Sequence, residues 1–140
     1  MIIVDTNVVS EITKPRPSPL VLQWFADNDP AELFLNDVTI MELVYGAEKY
    51  LLKKKSGRYH RSLDELVKAQ FQNRIARWNP DVGTNAGFIR ARREMKGYLM
   101  TVQDAAIAAI CLSHGATLAT RNTKDFEGLD LALVNPFEGA

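Results

Sequence analysis

Short runs of apolar residues alternate along this chain with longer segments whose apolar residues recur at helical spacing. The first run is Ile2-Ile3-Val4, and others cover 33–35, 116–120 and 131–134. Unbroken apolar runs of this length are typical of strands buried on both faces of a parallel sheet. The alternation predicts an α/β fold with a short parallel sheet of four or five strands and helices on both faces.

Between these runs, apolar spacing and cap residues predict the helices. A short helix follows the first strand, a second begins at Ser18, and a third begins at Thr39. Helical spacing then continues over 63–78, and a weaker helical stretch covers about 82–96. The segment 105–112 is apolar all round, which predicts a buried helix.

Composition and charge limit the classes of protein to which the chain can belong. At 140 residues the chain suits a single domain covering 1–140, and it has only one cysteine, Cys111, as expected of a cytoplasmic protein. No apolar run is long enough to cross a bilayer, so we expect no membrane association. Because 17 basic and 17 acidic residues balance, any binding of nucleic acid must use local basic patches.

Four acids occupy positions near strand ends. Asp5 comes directly after the first strand, and Glu42 and Asp125 lie a few residues after later strands. Asp104 begins the buried helix that leads to another strand. In open α/β sheets, ligands bind beyond the carboxyl ends of the strands. The four acids are therefore candidates for one catalytic site.

Each acid also has a simpler explanation, which is helix capping. Asp5 can cap the helix that begins near Asn7. The segments 39–42, 101–104 and 122–125 each place a cap residue three positions before an acid, the pattern of a capping box. Capping explains any one acid alone, whereas the recurrence of all four near the same predicted edge favours a site.

Converging carboxylates require neutralisation. Two carboxylates within about 5 Å repel each other by roughly 3 kcal/mol at an effective dielectric constant near 20. With oxygen ligands and no cysteine or histidine pair, Mg²⁺ or Mn²⁺ is the expected counterion. Such ions activate water and stabilise charge in phosphodiester hydrolysis, so the pattern predicts a metal-dependent nuclease.

The ordered motifs also resemble those of a known family. IIVDTN, TIMELVYGAEK, TVQDAAIAAICLSHGATLATRNTKDF and VNPF, in this order, resemble the PIN domain, in particular the VapC-type toxin ribonucleases and their FitB branch. The resemblance covers nearly the whole chain. It implies a PIN-like fold, with Asp5, Glu42 and Asp104 as core metal ligands and Asp125 in the fourth acidic place.

The same resemblance suggests roles for neighbouring residues. Some family members carry an acid at the place of Asn122, so Asn122 is an alternative to Asp125 for the fourth place. Asn122 and Thr120 are expected to position the site, and Thr6 and Asn7 to orient the first ligand or its water.

Substrate and partners are further implications of the family. They are an RNA substrate, cleavage that leaves a 5′-phosphate and a 3′-hydroxyl, a homodimer, and a VapB-like antitoxin whose C-terminal segment covers the groove. DNA would be bound only through the antitoxin. Two basic surfaces are candidates for contact with RNA or the partner, formed by Lys53, Lys54, Lys55 and Arg58 and by Arg90 and Arg93.

Three alternatives remain open at this stage. The chain could be a catalytically silent PIN-fold binding module that acts in a DNA-bound regulatory complex through its partner. It could be a phosphotransfer or receiver domain, although the haloacid-type pattern requires a second aspartate where this chain has Asn7. It could also be a nuclease of the same fold directed at DNA.

Overall fold

A computed structural model describes residues 1–138 and contains a five-stranded sheet. The strands are β1 (Ile2–Val4), β2 (Leu33–Asn36), β3 (Ile75–Ala76), β4 (Thr117–Ala119) and β5 (Leu133–Val134). They lie in the order β3-β2-β1-β4-β5, and every neighbouring pair is parallel. The predicted α/β fold is confirmed.

Six α-helices accompany the sheet within the described residues. They are α1 (Thr6–Ile12), α2 (Pro19–Asp27), α3 (Asp37–Lys54), α4 (Arg58–Glu65), α5 (Pro80–Met95) and α6 (Val102–His114). Two 3₁₀ turns cover Pro30–Glu32 and Thr123–Phe126, and a π-helical turn covers Leu66–Gln70. None of these helices has the length and apolarity needed to span a membrane.

Apolar side chains fill a core on each face of the sheet. Ile3 belongs to the core that contains α6 and parts of α5, whereas its neighbour Val4 belongs to the core built with α1 and α2. This division follows from the pleat, because successive side chains of a strand point to opposite faces. α6 is buried along seven consecutive residues, 105–111, as its apolar sequence predicted.

One predicted helix is wrong in its second half. The helical spacing over 63–78 ends in a π-helical turn, and Gln72 and Asn73 then adopt positive φ values of 46° and 60°. The chain reverses there, and Ile75 pairs with Leu35 of β2 as part of β3. The short strand is held by pairing to its neighbour, which helical periodicity does not reveal.

The strand order places the candidate acids at one edge. β1 is central, with β2 on one side and β4 on the other, so successive crossovers leave it in opposite directions. In α/β sheets the crevice at such a switch point is the usual ligand site. The chain leaves this edge through Asp5 after β1, Asn36 at the end of β2 and Thr120 after β4.

Candidate active site

Asp5 lies at the centre of the site and is held by hydrogen bonds on both carboxylate oxygens. Its Oδ1 accepts from the Thr6 amide at 2.7 Å, and its Oδ2 accepts from the Thr120 hydroxyl at 2.8 Å. Its own amide donates to the Ala119 carbonyl of β4 at 2.9 Å. Asp5 therefore caps α1, as one interpretation predicted, while its second oxygen is fixed from across the sheet.

A chain of hydrogen bonds orients Glu42. The Asn36 side-chain amide lies 3.0 Å from Thr39 Oγ1, which lies 3.0 Å from Thr6 Oγ1, which lies 2.8 Å from Glu42 Oε1. An amide nitrogen only donates and a carboxylate only accepts, so each hydroxyl donates toward Glu42. The chain joins the ends of β1 and β2 to the second turn of α3.

The capping box predicted for Glu42 is wrong. α3 begins at Asp37, and its cap is Asn36, whose side-chain oxygen accepts from the Thr39 amide at 2.9 Å. Thr39 is thus inside the helix, and Glu42 lies too far along to reach the cap amide. The buried polar Asn36, which ends an apolar strand, is a site residue that sequence reasoning missed.

Asp104 stands in the first turn of α6, where the sequence predicted it. Thr101 caps the helix by accepting a hydrogen bond from the Asp104 amide at 3.0 Å. The half-buried side chain is carried by a helix that is buried over the next seven residues, 105–111. A buried helix holds the position of this acid firmly.

Asp125 is held through its backbone. It lies in the 3₁₀ turn after β4, where its amide donates to the Asn122 carbonyl at 3.0 Å. The Arg93 guanidinium donates to the carbonyls of Asp125, at 2.9 Å, and Glu127, and it lies over the Tyr98 ring. The Asp125 side chain itself is exposed.

The acids influence one another electrostatically. Burial raises the pKa of Asp5 above its ordinary value, opposed by the hydrogen bonds from Thr120 and Thr6, and Glu42 and Asp125 raise it further. Burial also raises the pKa of Asp104, with added repulsion from Asp5 and Asp125, against a hydrogen bond with Thr101. The topology therefore brings the four predicted acids into one region of negative potential.

The donor atoms of this region suit a hard cation, whereas their spatial arrangement suits one less well. Its ligands would be carboxylate oxygens, as Mg²⁺ and Mn²⁺ prefer, and a bound cation would offset the burial and mutual repulsion that raise the pKa values of Asp5 and Asp104. As the side chains stand in residues 1–138, however, no three His, Cys, Asp or Glu groups form a cluster that could hold a metal ion.

The predicted supporting residues differ in their contacts. Thr6 and Thr120 contact Asp5, and Thr120 also accepts from the Asn122 amide at 3.1 Å. Asn122 occupies the cap position of the 3₁₀ turn, but its side chain makes no capping hydrogen bond, contrary to the predicted cap. Asn7 is exposed, and no side-chain hydrogen bond to it occurs in the described chain.

The two predicted basic surfaces also differ. Lys53, Lys54, Lys55 and Arg58 are exposed around the end of α3 and the start of α4. In the second surface, Arg90 is exposed and donates to the Met100 carbonyl at 3.1 Å. Arg93 is only 7% exposed, so its predicted role as an RNA or partner contact does not fit the structure.

A cavity of about 370 Å³ opens beside the acids. It lies between α1, α3 and α4, and its wall includes Thr6 and Glu42. It is also lined by Tyr50, Tyr59 and several hydroxyl and aliphatic side chains. The site therefore continues from the acids into a groove with aromatic walls.

Comparison with known proteins is consistent with this geometry. The PIN domain family model matches residues 2–130. Toxin FitB of Neisseria gonorrhoeae is 32% identical over 137 residues, which cover 98% of this chain and 99% of that protein. VapC ribonuclease Y4jK of Sinorhizobium fredii is 31% identical over 140 residues, the full length of both.

A solved structure gives the same result in three dimensions. The structure of FitAB bound to an IR36 DNA fragment matches with a TM-score of 0.88 and 30% identity, and the match covers 100% of this chain and 98% of that one. Sequence, sheet topology and structural similarity thus agree over essentially the full length, and the chain belongs to the PIN domain family.

Proposed function

We propose that the chain is a metal-dependent endoribonuclease of the VapC type, which hydrolyses RNA phosphodiester bonds. The observation that supports this proposal is the mutual repulsion of acids from distant parts of the chain, which adds to burial in raising the pKa values of Asp5 and Asp104. Glu42 and Asp125 repel Asp5, and Asp5 and Asp125 repel Asp104. Four unrelated helix caps would give no reason for this convergence.

Asp5, Glu42, Asp104 and Asp125 are the residues that would hold Mg²⁺ or Mn²⁺. Such an ion supplies a hydroxide from bound water and stabilises the charge that develops on the phosphate. Asp5 is the fixed ligand of the set, since both of its oxygens are positioned by hydrogen bonds. Glu42, Asp104 and Asp125 are less buried and would close toward the ion and the substrate phosphate.

The remaining groups of the site orient these acids. Thr120, directly after β4, fixes Asp5, and the hydrogen-bond chain from Asn36 through Thr39 and Thr6 orients Glu42. Second ligand shells of this kind typically change metal affinity or activity by about 10–100-fold. Electrostatic preorganisation of the acids is therefore the main contribution that this chain makes to the reaction.

The partners follow from the relatives. One is named a VapC ribonuclease, another is Toxin FitB, and the FitAB structure contains DNA. We propose RNA as the substrate and a VapB-like antitoxin as the inhibitor, with DNA bound only through the antitoxin. The single cysteine, Cys111, is in keeping with a reducing compartment, so we place the activity in the cytoplasm.

An exposed apolar surface supports a homodimer. Met95, at the end of α5, and Leu99, after it, are 88% and 86% exposed, and Phe88 and Val102 are also exposed nearby in the chain. Exposed apolar patches commonly mark protein interfaces. Sedimentation at several protein concentrations should show a dimer, and a monomer at all concentrations would contradict this part of the proposal.

Cleavage of single-stranded RNA by purified, partner-free protein tests the proposed function. A mixed panel of RNAs, with matched single-stranded DNAs, is incubated with Mg²⁺ or Mn²⁺ and with EDTA. We expect RNA to be cut only with metal, leaving 5′-phosphate ends, and Asp104→Asn to cut far more slowly than the wild type. Asp81→Asn, in the equivalent first turn of α5, is the matched control and should cut normally.

The other outcomes separate the alternatives. Cutting by Asp104→Asn at the wild-type rate would show contamination or a different site. Cutting of DNA in preference to RNA would indicate a DNA-directed nuclease. No cutting of any substrate, together with normal antitoxin binding, would support the silent binding module.

A further inference from the structure

The cavity beside Glu42 has the chemistry of a nucleobase pocket. Its apolar floor is formed by Leu43, Ala47, Leu63 and Leu66. Tyr50 of α3 and Tyr59 of α4 stand against each other edge to face, with ring centroids 4.8 Å apart and an interplanar angle of 88°. Both rings are partly exposed and line the cavity, so ring surface is available for stacking.

Hydroxyl groups with free hydrogen-bonding capacity line the same cavity. Within residues 1–138, the side-chain hydroxyls of Ser10, Ser62, Tyr50 and Tyr59 make no hydrogen bond to protein atoms, and all four residues line the cavity. The edges of a nucleobase present alternating donors and acceptors that such hydroxyls can pair with. Apolar side chains of a docking peptide would leave them unpaired.

The cavity also lies on a continuous path along α3. Glu42 and Thr6 form its end at the acids, and Tyr50 and Gly46 line both this cavity and a second depression of about 280 Å³. The second depression is bordered by Lys49, Lys53 and Lys54. From Glu42 to Lys53 the path covers about 16 Å of helix, at 1.5 Å per residue.

We propose that this cavity binds one unstacked base of a single-stranded RNA, next to the phosphate that is cleaved. The proposal rests on the proposed ribonuclease function and adds to it a specificity site that reads the base. Sequence-specific RNA recognition commonly uses splayed bases that stack on aromatic rings. The lysines at the end of α3 would then contact the phosphates a few nucleotides away.

Binding of short RNAs to the Asp104→Asn protein tests the proposal. Fluorescein-labelled heptamers of A, of C, of U and of mixed G and U are titrated in the presence of Mg²⁺, and the heptamer that binds most tightly is resynthesised with one abasic position moved along it. Stacking on an aromatic ring gives about a fivefold or greater change in affinity per base. We expect one abasic position to weaken binding by at least this factor.

Tyrosine variants then locate the base. In the Asp104→Asn background, Tyr50→Leu should weaken binding and make the protein indifferent to that abasic position, whereas Tyr50→Phe should retain most of the discrimination. Tyr45→Leu is the control for reading of the base, because Tyr45 is also on α3 and lines the second depression but not the cavity. Tyr45→Leu should therefore keep the full penalty at that abasic position. Thermal melting of each variant establishes that it is folded.

Three results would overturn the proposal. These are no binding of any heptamer, equal affinity at every abasic position, or the same abasic penalty in Tyr50→Leu as in Tyr45→Leu. Tyr50→Leu that loses only antitoxin binding would identify the cavity as a peptide site instead. The proposed function fails separately, if metal-dependent cleavage does not depend on Asp104.

Discussion

Asp5 and Asp125 belong to the same edge of the sheet but are held in opposite ways. Asp5 is 6% exposed, and both of its carboxylate oxygens accept hydrogen bonds. Asp125 is exposed, and within the described chain its carboxylate accepts no hydrogen bond, while Arg93 holds its main-chain carbonyl. The comparison suggests a fixed ligand at one end of the site and an adjustable ligand at the other.

The largest expected effect comes from the fixed end. Asp5→Asn should lower RNA cleavage by about 10³-fold, because a metal ion supplies several kcal/mol of stabilisation and each 1.36 kcal/mol is tenfold in rate. Single-turnover cleavage measures the loss. Asp29→Asn is the control, since Asp29 also caps a helical turn but lies at the other end of β2. Equal effects of the two substitutions would mean that Asp5 is only a cap.

A smaller loss of cleavage is expected when the hydrogen bond that Thr120 donates to Asp5 is removed. Thr120→Val takes away the hydroxyl that donates to Asp5, and cleavage should fall by about 10–100-fold. That hydrogen bond lowers the pKa of Asp5, so its loss should raise this pKa and move the acidic limb of the pH profile upward. Thr117→Val, at the start of β4, should leave the pH profile unchanged, and an unshifted profile in Thr120→Val would contradict the role proposed for its hydroxyl.

At Asp125, the adjustable ligand, the expected loss of cleavage is smaller again. Asp125→Asn should reduce cleavage by about tenfold, because water screens an exposed carboxylate and about 1.4 kcal/mol corresponds to that factor. Asp130→Asn, a nearby exposed aspartate, is the matched control. A loss of cleavage as large as that of Asp5→Asn would show that the exposure of these acids does not determine how much each contributes to cleavage.

The smallest expected effect is a change in the free energy of unfolding, caused by Asp104→Asn. Its raised pKa means that the folded state binds more protons than the unfolded state, so stability falls as pH rises through the ordinary pKa of 3.8 toward the raised value. At neutral pH and without metal, Asp104→Asn should therefore raise the melting temperature. With solvent screening this is about 1 kcal/mol or 2–4 °C.

This stabilisation has two signatures. It should disappear below the ordinary pKa of 3.8, where the carboxyl is protonated in both states, and Mg²⁺ or Mn²⁺ should raise the melting temperature of the wild-type protein more than that of Asp104→Asn. Asp81→Asn should show neither signature. A pH-independent effect of Asp104→Asn would rule out charge repulsion as its cause.

Two similar sequence patterns show how far local reasoning extends. In 101–104 the threonine caps α6 as predicted, whereas in 39–42 the threonine lies inside α3 and bonds with Thr6. The difference comes from Asn36, which caps α3 and also donates to the Val4 carbonyl of β1 at 3.2 Å. A contact between strands decides where this helix begins, and the local pattern does not contain it.

Contacts between residues distant in sequence also explain the other differences between the predicted and the observed structure. Apolar runs and buried-helix composition were enough to predict four strands, α6 and the position of the acids near the sheet edge. The sequence does not predict β3, because this strand has only two residues and is held by pairing with β2. Arg93 was assigned to the surface because charge alone suggests exposure, yet two backbone carbonyls and the Tyr98 ring accommodate its guanidinium.

Binding of Mn²⁺, followed by electron paramagnetic resonance, tests the central claim most directly, because it requires no knowledge of the RNA target. The account predicts saturable binding in the wild-type protein and in Asp29→Asn, and affinity weakened by about tenfold or more in Asp5→Asn and Asp104→Asn. Equal binding in all four proteins, or no binding in the wild type, would contradict the claim that these acids hold a catalytic metal.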